Sequence, residues 1–327
     1  MSDQPRMISR RELSKPETLA ELDLACREWG VFYLTDHGLD ADGGLFAEAQ
    51  QFFSAGKNRK NDVRRTAVNA WGYFDEELTK NTRDWKETFD YGPAVGDFVP
   101  QWPDWHPALK RLGESHYEAC EALSYEVLAA ISANLGVGGS FLFHAFEPEH
   151  ASFVRFNYYP ECPNPAAPDA VAVPERGHLG VNHHTDAGAL TLLLTDGVPG
   201  LEVFVHGAWQ PVPAVEGALI INIGDVLQVW SNDRYKAPLH RVRCQRQGTR
   251  MSVPFFFNPK DSFVYAPLEG RDAAPARYRP INFGEFRRQR ANGDYEDLGE
   301  EVQIEQYRID PPLECVDGDG VAEHRGA

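Results

Sequence analysis

Between residues 150 and 265 the chain breaks into short apolar segments separated by turn residues, and no other feature limits its possible folds as strongly. "SFVRFNYYP", "ALTLLLTD", "LEVFV", "ALIINIG", "VLQVWSN", "HRVRC" and "RMSVPFFFNP" are rich in Val, Ile, Leu and Phe and are punctuated by Gly, Pro, Asn and Asp. Runs of this length and composition read as strands buried in a core. Many short strands with regular turn signals predict a β-sandwich or a barrel.

The first 135 residues have a different texture. Ser14 and Glu17 in "SKPE" have capping-box spacing, with Pro16 tolerated in the first turn, and Leu19, Leu22, Cys26 and Trp29 follow at helical spacing. Gly30 closes that helix, "VFYL" reads as a short strand and "LFAEAQQFF" as a second helix. The basic stretch "KNRKNDVRR" reads as a solvated helix face. Leu109, Leu112, Cys120, Leu123, Val127 and Ile131 mark a long amphipathic helix that ends at Gly136. The expected organisation is a mixed, mostly helical region over 5–135, a β domain over 150–265, a helical segment over 266–309 and a poorly ordered acidic tail over 310–327.

With 327 residues, 42% of them hydrophobic, the chain can bury a large core. Its net charge of -17 argues against nucleic acid or an anionic membrane as partner, since both attract basic surfaces. Five scattered cysteines without CxxC spacing suggest reduced thiols. The N-terminal residues lack an apolar signal core and no apolar run is long enough to span a bilayer, so a cytoplasmic protein is expected.

Chemistry concentrates in "GVNHHTDAGALTLLLTD". On a strand, His184 and Asp186 share one face while His183 and Thr185 take the other. Such a pair offers two adjacent ligands to a metal, and it serves equally as a polar turn ahead of a buried strand. His240, in "YKAPLHRVR", is a candidate third ligand. Two imidazoles and one carboxylate on one face of an octahedron leave three positions open, which favours non-haem Fe(II) activating O2 over structural zinc. A second set follows: Arg250 and Ser252 share a strand face and make a fitting cradle for a carboxylate, although such an arginine also suits a plain ion pair. Arg155, Asn157 and Tyr159 share a face of "RFNYYP", placed to bind the other oxygens of an anionic co-substrate and, through Arg155, the substrate. Trp71, Tyr73 and Trp85 read as core or as the lining of an entrance.

Taken in order, "RFNYYPECPNP", "HTDAGALTLL", "GLEVFVHGAWQPVP", "IINIGDVLQVWSNDRYKAPLHRV" and "RMSVPFFFNP" resemble the Fe(II)/2-oxoglutarate-dependent dioxygenases of the isopenicillin N synthase-like group, which includes plant flavonoid and gibberellin oxygenases. "WGVFYLTDHGL" and "ELTKNTRDWKETFDYG" are similar to that family's N-terminal region, so the resemblance covers roughly residues 5–290.

The resemblance implies an α+β fold with a mainly β core, a double-stranded β-helix (jelly roll) wrapped by N-terminal helices, with 150–265 as catalytic domain. It implies His184, Asp186 and His240 as iron ligands and Arg250 with Ser252 as the pair that binds the far carboxylate of 2-oxoglutarate, supported by Asn157 and Tyr159. It places Thr88, Asp90, Arg155 and Phe256 around the substrate. The presence of Asp186 speaks against halogenation, since related halogenases carry a small residue there. The implied reaction is hydroxylation or desaturation of a small organic molecule with O2, releasing succinate and CO2. Two other readings stand beside it. One is an Fe(II) oxidase of the same fold that dispenses with 2-oxoglutarate, and the other is a non-catalytic jelly-roll binding protein. A zinc hydrolase would want a general-base glutamate that these motifs do not supply.

Overall fold

The computed structural model describes residues 2–39, 44–96, 98–167, 177–268, 275–293 and 302–309. In chain order the N-terminal region contributes strands Arg6–Ser9 (β1), Val31–Thr35 (β2), Gly72–Phe74 (β3), Leu78–Thr79 (β4), Thr82–Arg83 (β5) and Glu87–Tyr91 (β6). The β-rich region supplies Phe153–Tyr159 (β7), Leu179–His184 (β8), Leu190–Thr195 (β9), Leu201–Val205 (β10), Ala208–Pro211 (β11), Ala218–Ile223 (β12), His240–Arg243 (β13) and Arg250–Phe257 (β14).

Eight of these form one sheet in the order β1-β2-β12-β9-β14-β7-β6-β3, and four form a second in the order β11-β10-β13-β8. The sheets meet through a small apolar cluster to which both contribute: Val31, Leu193 and Ile220 from the first, Val181, Val203 and Val242 from the second. The other face of the large sheet packs on helices Pro16–Glu28 (α1), Gly44–Phe53 (α2) and Pro107–Leu135 (α4), between which lies the short helix Lys57–Asn61 (α3). Central strands β9 and β12 are therefore dry on both faces, which is why they read as continuous apolar runs rather than alternating ones.

The N-terminal region is built into this architecture. It supplies two strands to each end of the large sheet, as well as the expected helices. Gly136 closes α4 in the left-handed conformation, φ 77°, as a glycine after the last turn does.

Three local expectations are corrected. The capping box of Ser14 and Glu17 is not formed, because Pro16 occupies the first helical position and makes Lys15 the N-cap. The basic stretch is a solvated face only in part: Lys57, Asn58, Arg59, Asn61 and Asp62 are exposed, whereas Lys60 and Arg65 are buried and paired with acids. "VLQVWSN" does not form a strand. Residues Asp225–Trp230 are a helix (α5), buried along its whole length, and a short run apolar all round carries no period to tell the two apart.

Beyond the jelly roll, Val264–Tyr265 and Ile281–Asn282 pair (β15 and β16), and helix Phe283–Asn292 (α6) follows, with a 3-10 turn at Ile304–Tyr307. The expected acidic tail lies outside the described residues. Among the described residues no helix is long and apolar enough to cross a membrane, and Cys26, Cys120, Cys162 and Cys244 are free and buried.

Candidate active site

His184 is the last residue of β8, and the antiparallel register of β13 sets His240 directly opposite it. That pairing returns a distant part of the chain to the same point and brings the two rings to 4.2 Å between centroids. Asp186 lies two residues past the strand end, in the turn, with Oδ1 3.8 Å from His184 Nε2 and 3.6 Å from His240 Nε2. His184 Nδ1 donates to the Asn182 carbonyl at 2.8 Å and His240 Nδ1 to the Pro238 carbonyl at 3.0 Å. A carbonyl only accepts, so each Nδ1 carries the proton and each Nε2 turns a lone pair toward the carboxylate. Asn222 Nδ2 steadies Asp186 Oδ2 at 3.4 Å.

Burial and the neighbouring His240 push the His184 imidazole down to about 3, so it is neutral at pH 7. Burial works to raise Asp186, yet His240 and His184 hold its carboxyl below the ordinary value. A neutral His184 beside an ionised Asp186 is the state in which these groups bind a divalent cation. Their donor atoms lie within 4.8 Å of one another, and no other such trio occurs among the described residues. His183 turns away, bonded through Nδ1 to Asn182 Oδ1 at 2.9 Å.

The second set assembles across three strands. Arg250 faces Tyr159 and Ser252 faces Asn157 in the β14–β7 register, and Thr88 on β6 continues that row. Arg250 is 1% exposed. Its Nε donates to the Val198 carbonyl at 3.2 Å, its guanidinium lies 5.0 Å over the Tyr159 ring, and its buried Nη1 has no partner among the described residues. No described carboxylate pairs with it, so the plain ion pair is not made. Asn157 Nδ2 reaches Ser252 Oγ at 3.5 Å, and Asn157 Oδ1 is likewise without a partner. A buried guanidinium without counter-charge is costly, and an incoming carboxylate would relieve that cost. The donor set around Asp186 fits Fe(II), and the Arg250 wall fits a dicarboxylic co-substrate.

A cavity of about 350 Å³ opens over His184 and Asp186. One side is aromatic: Phe153 stacks on Phe256 at 4.7 Å, and Trp71 lies 5.7 Å from Phe153 and 6.4 Å from Phe98. The other side is ionic. Arg155 binds Asp90 through Nε and Nη2, both at 2.8 Å, and Glu77 through Nη1 at 2.8 Å. Lys86 bridges Glu77 at 2.7 Å and Asp84 at 3.1 Å.

Residues 150–259 match the 2OG-Fe(II) oxygenase superfamily, and residues 6–108 match the "non-haem dioxygenase in morphine synthesis N-terminal" family. Gibberellin 20 oxidase 2 of Oryza sativa subsp. indica is 34% identical over 282 residues, covering 82% of this chain and 69% of that protein. The chain belongs to the 2OG-Fe(II) oxygenase superfamily. Flavanone 3-dioxygenase 2 of Oryza sativa subsp. japonica is 30% identical over 289 residues, 84% of this chain and 81% of the relative. The crystal structure of JOX2 in complex with 2OG, Fe and JA superposes with a TM-score of 0.80 at 26% identity, covering 94% of this chain and 91% of that one. The protein is thus a non-haem dioxygenase, an oxidoreductase of jelly-roll fold that uses Fe(II), 2-oxoglutarate and O2 to oxidise a small organic molecule.

Within the oxygenase, the residues expected around the substrate separate. Arg155, Asp90 and Phe256 line the cavity. Thr88 is not among the lining residues. It is fully buried, donates to the Phe74 carbonyl at 3.2 Å and accepts from Arg65 at 3.4 Å. Of the aromatics, Tyr73 is core, Trp71 lines the cavity, and half-buried Trp85 lies tilted against His178, ring centroids 4.7 Å apart.

Several residues of the oxygenase site had drawn no attention in the sequence. Asn222 was legible, since it is the one polar residue in the buried strand "ALIINI". Arg290 on α6 was not. It sits in the polar stretch "FRRQR", yet it donates to Thr185 Oγ1 at 3.2 Å, to the Thr185 carbonyl at 2.8 Å and to Asp225 Oδ2 at 2.6 Å.

Proposed function

We propose that His184, Asp186 and His240 hold the Fe(II) of this dioxygenase, and that Arg250 with Ser252 receives the far carboxylate of 2-oxoglutarate, supported by Asn157 and Tyr159. The observation that carries this reading is the position of Asp186 Oδ1, within 3.8 Å of the Nε2 atoms of both histidines. The metal and co-substrate, when bound, supply the oxidising power drawn from O2, with succinate and CO2 as by-products.

The chain's own residues then act by placement. Asn182 and Pro238 fix the imidazole tautomers through their carbonyls, Asn222 orients the carboxylate, and Arg250 sets the co-substrate's direction in a dry wall. The substrate is a small organic molecule whose apolar body lies along Phe256, Phe153 and Trp71, and it is hydroxylated or desaturated at the carbon held nearest the metal. Arg155 and Asp90 shape the opposite wall as a closed pair.

The test is an anaerobic titration of the purified protein with Fe(II) and then 2-oxoglutarate, following the visible charge-transfer band of the chelate. The band should form in the native protein and be lost in Asp186→Ala and in His240→Ala. A variant that kept both the band and succinate production would overturn the ligand assignment.

A further inference from the structure

The cavity carries more positive charge than its own acids cancel, in a chain whose net charge is -17. At its ionic wall the charges balance: Arg65, Lys86 and Arg155 interlock with Glu77, Asp84 and Asp90. Arg290 is matched by the fully buried Asp225. Asp186 is committed to the metal. Two cations of the lining are left, Arg287 and Arg288, neighbours on α6.

Neither is well neutralised by a described residue. Arg287 has an ion pair with Asp261 at 3.2 Å, but that acid's side chain is 45% exposed, and a pair so open to water is weak. The Nε of Arg287 is buried and meets no acceptor among the described residues. Arg288 is exposed and makes no ion pair or hydrogen bond with any described residue. Arg155, by contrast, spends its guanidinium on two carboxylates at 2.8 Å. An anion reaching Arg155 would have to displace a buried charge-assisted pair, whereas Arg287 and Arg288 would give up only water and one exposed acid.

We infer that the substrate of this dioxygenase is a small organic anion, a carboxylate on an apolar ring-bearing body. Its charge docks on Arg287 and Arg288, and its body lies along Phe98, Trp71, Phe153 and Phe256. Arg155 does not take the charge. In an acidic protein that repels small anions at long range, these two arginines provide the local field that admits one. The inference rests on the cavity being the substrate site of the proposed metal centre.

The experiment uses the full chain, loaded anaerobically with Fe(II) and 2-oxoglutarate, and titrates it calorimetrically with indole-3-propionate, 3-phenylpropionate and cinnamate, each beside its methyl ester. The acids should bind roughly ten-fold tighter than their esters, with a preference that shrinks as salt is raised. Arg288→Gln, and more fully Arg287→Gln with Arg288→Gln, should bring acid and ester together. The charge-transfer band recorded on each sample separates the outcomes. If it is absent, the metal assignment has failed. If it is present and the acids bind no better than their esters, or none binds, the inference is overturned by itself. A preference that survives in the double variant overturns it too.

Discussion

Arg290 grips Thr185 at two points, its hydroxyl and its backbone carbonyl, and Thr185 is the residue between His184 and Asp186. The same guanidinium holds Asp225, whose N–H donates to the Asp186 carbonyl at 2.8 Å. The helix after the jelly roll is thereby fastened to the turn that presents the proposed ligands. Burial pushes the Asp225 carboxyl up to about 7 and Arg290 holds it down, so Arg290→Ala would drive that buried group toward its protonated form, unpair it from its cation and free the turn. The expected result is a loss of about 3 kcal/mol in unfolding stability and roughly ten-fold weaker Fe(II) binding. Thermal unfolding of the metal-free protein and an Fe(II) titration check the two parts separately, and Arg290→Lys should recover some stability without restoring the double contact to Thr185. Unchanged iron affinity in Arg290→Ala would mean that α6 has no hold on the ligand turn.

Arg250 presents the opposite case, a buried cation with no acid to lose. Arg250→Gln should therefore leave the unfolding temperature of the protein without 2-oxoglutarate nearly unchanged or slightly raised, since it removes an uncompensated charge. Affinity for 2-oxoglutarate should fall on the order of a hundred-fold, the loss expected when a bidentate partner of a buried carboxylate is deleted. Calorimetric titration with 2-oxoglutarate and a melting curve on the same sample decide it. A large drop in melting temperature with unchanged 2-oxoglutarate affinity would assign Arg250 to the scaffold.

Much of this arrangement could be read from the residues alone, and the limits are physical. Strand alternation says which face a side chain takes, so the shared face of Arg250, Ser252 and Phe256 was visible. It does not say which strand lies alongside, so the row from Thr88 through Asn157 to Ser252 emerges only from the register. Asp186 looked like a strand residue because HxD has period-2 spacing, yet it sits in the turn, held by Asn222 and Asp225. Charged residues in a sequence read as solvated, which hid the roles of Lys86 and Glu77 in the cavity wall and of Arg290 behind the ligands. Arg155 lines the cavity as its strand face suggested, but its ion pairs with Asp90 and Glu77 could not be read from the residues, since Asp90 comes beside it only through the β6–β7 register and Glu77 through the segment before β4.

The same ionic wall should make the protein sensitive to acid. Burial tends to raise the Glu77 carboxyl, but Arg155, Lys86 and Arg65 outweigh it and hold the group far below its ordinary 4.5. With the folded value below the unfolded one, the native state binds fewer protons than the unfolded state as the pH drops past 4.5. The stability owed to Glu77 is therefore complete above that pH and is lost as the pH falls toward the folded value. Asp84, pushed upward by burial, acts with the opposite sign but is bound by only one of the three cations. The melting temperature should fall steeply below about pH 4.5 in the native protein. Glu77→Gln should be about 3 kcal/mol less stable at neutral pH and show a shallower acid limb. Parallel acid limbs in the two proteins would exclude Glu77 as the cause.

Gly224 shows how closely the scaffold is fitted to the proposed metal ligands. It precedes α5 with an ordinary extended backbone, φ -102° and ψ 176°, so any residue could take its conformation. Space is what forbids one: an added Cβ would collide with the Gly188 carbonyl and come within 3.0 Å of the Asp186 carbonyl oxygen. The approach is this close because the first N–H groups of α5 are satisfied by the ligand turn, Asp225 by the Asp186 carbonyl and Val226 by the Gly188 carbonyl at 3.0 Å. Gly224→Ala must push that turn away, at a cost of about 2 kcal/mol, and should weaken Fe(II) binding as Asp186 moves off its position. Gly138→Ala is the matching control. Its φ of +81° makes alanine unfavourable by about 1 kcal/mol, while an added Cβ meets nothing within 4 Å. Both variants should melt earlier, and only Gly224→Ala should lose iron affinity; equal iron affinity in the two would show that Asp186 keeps its place without this contact.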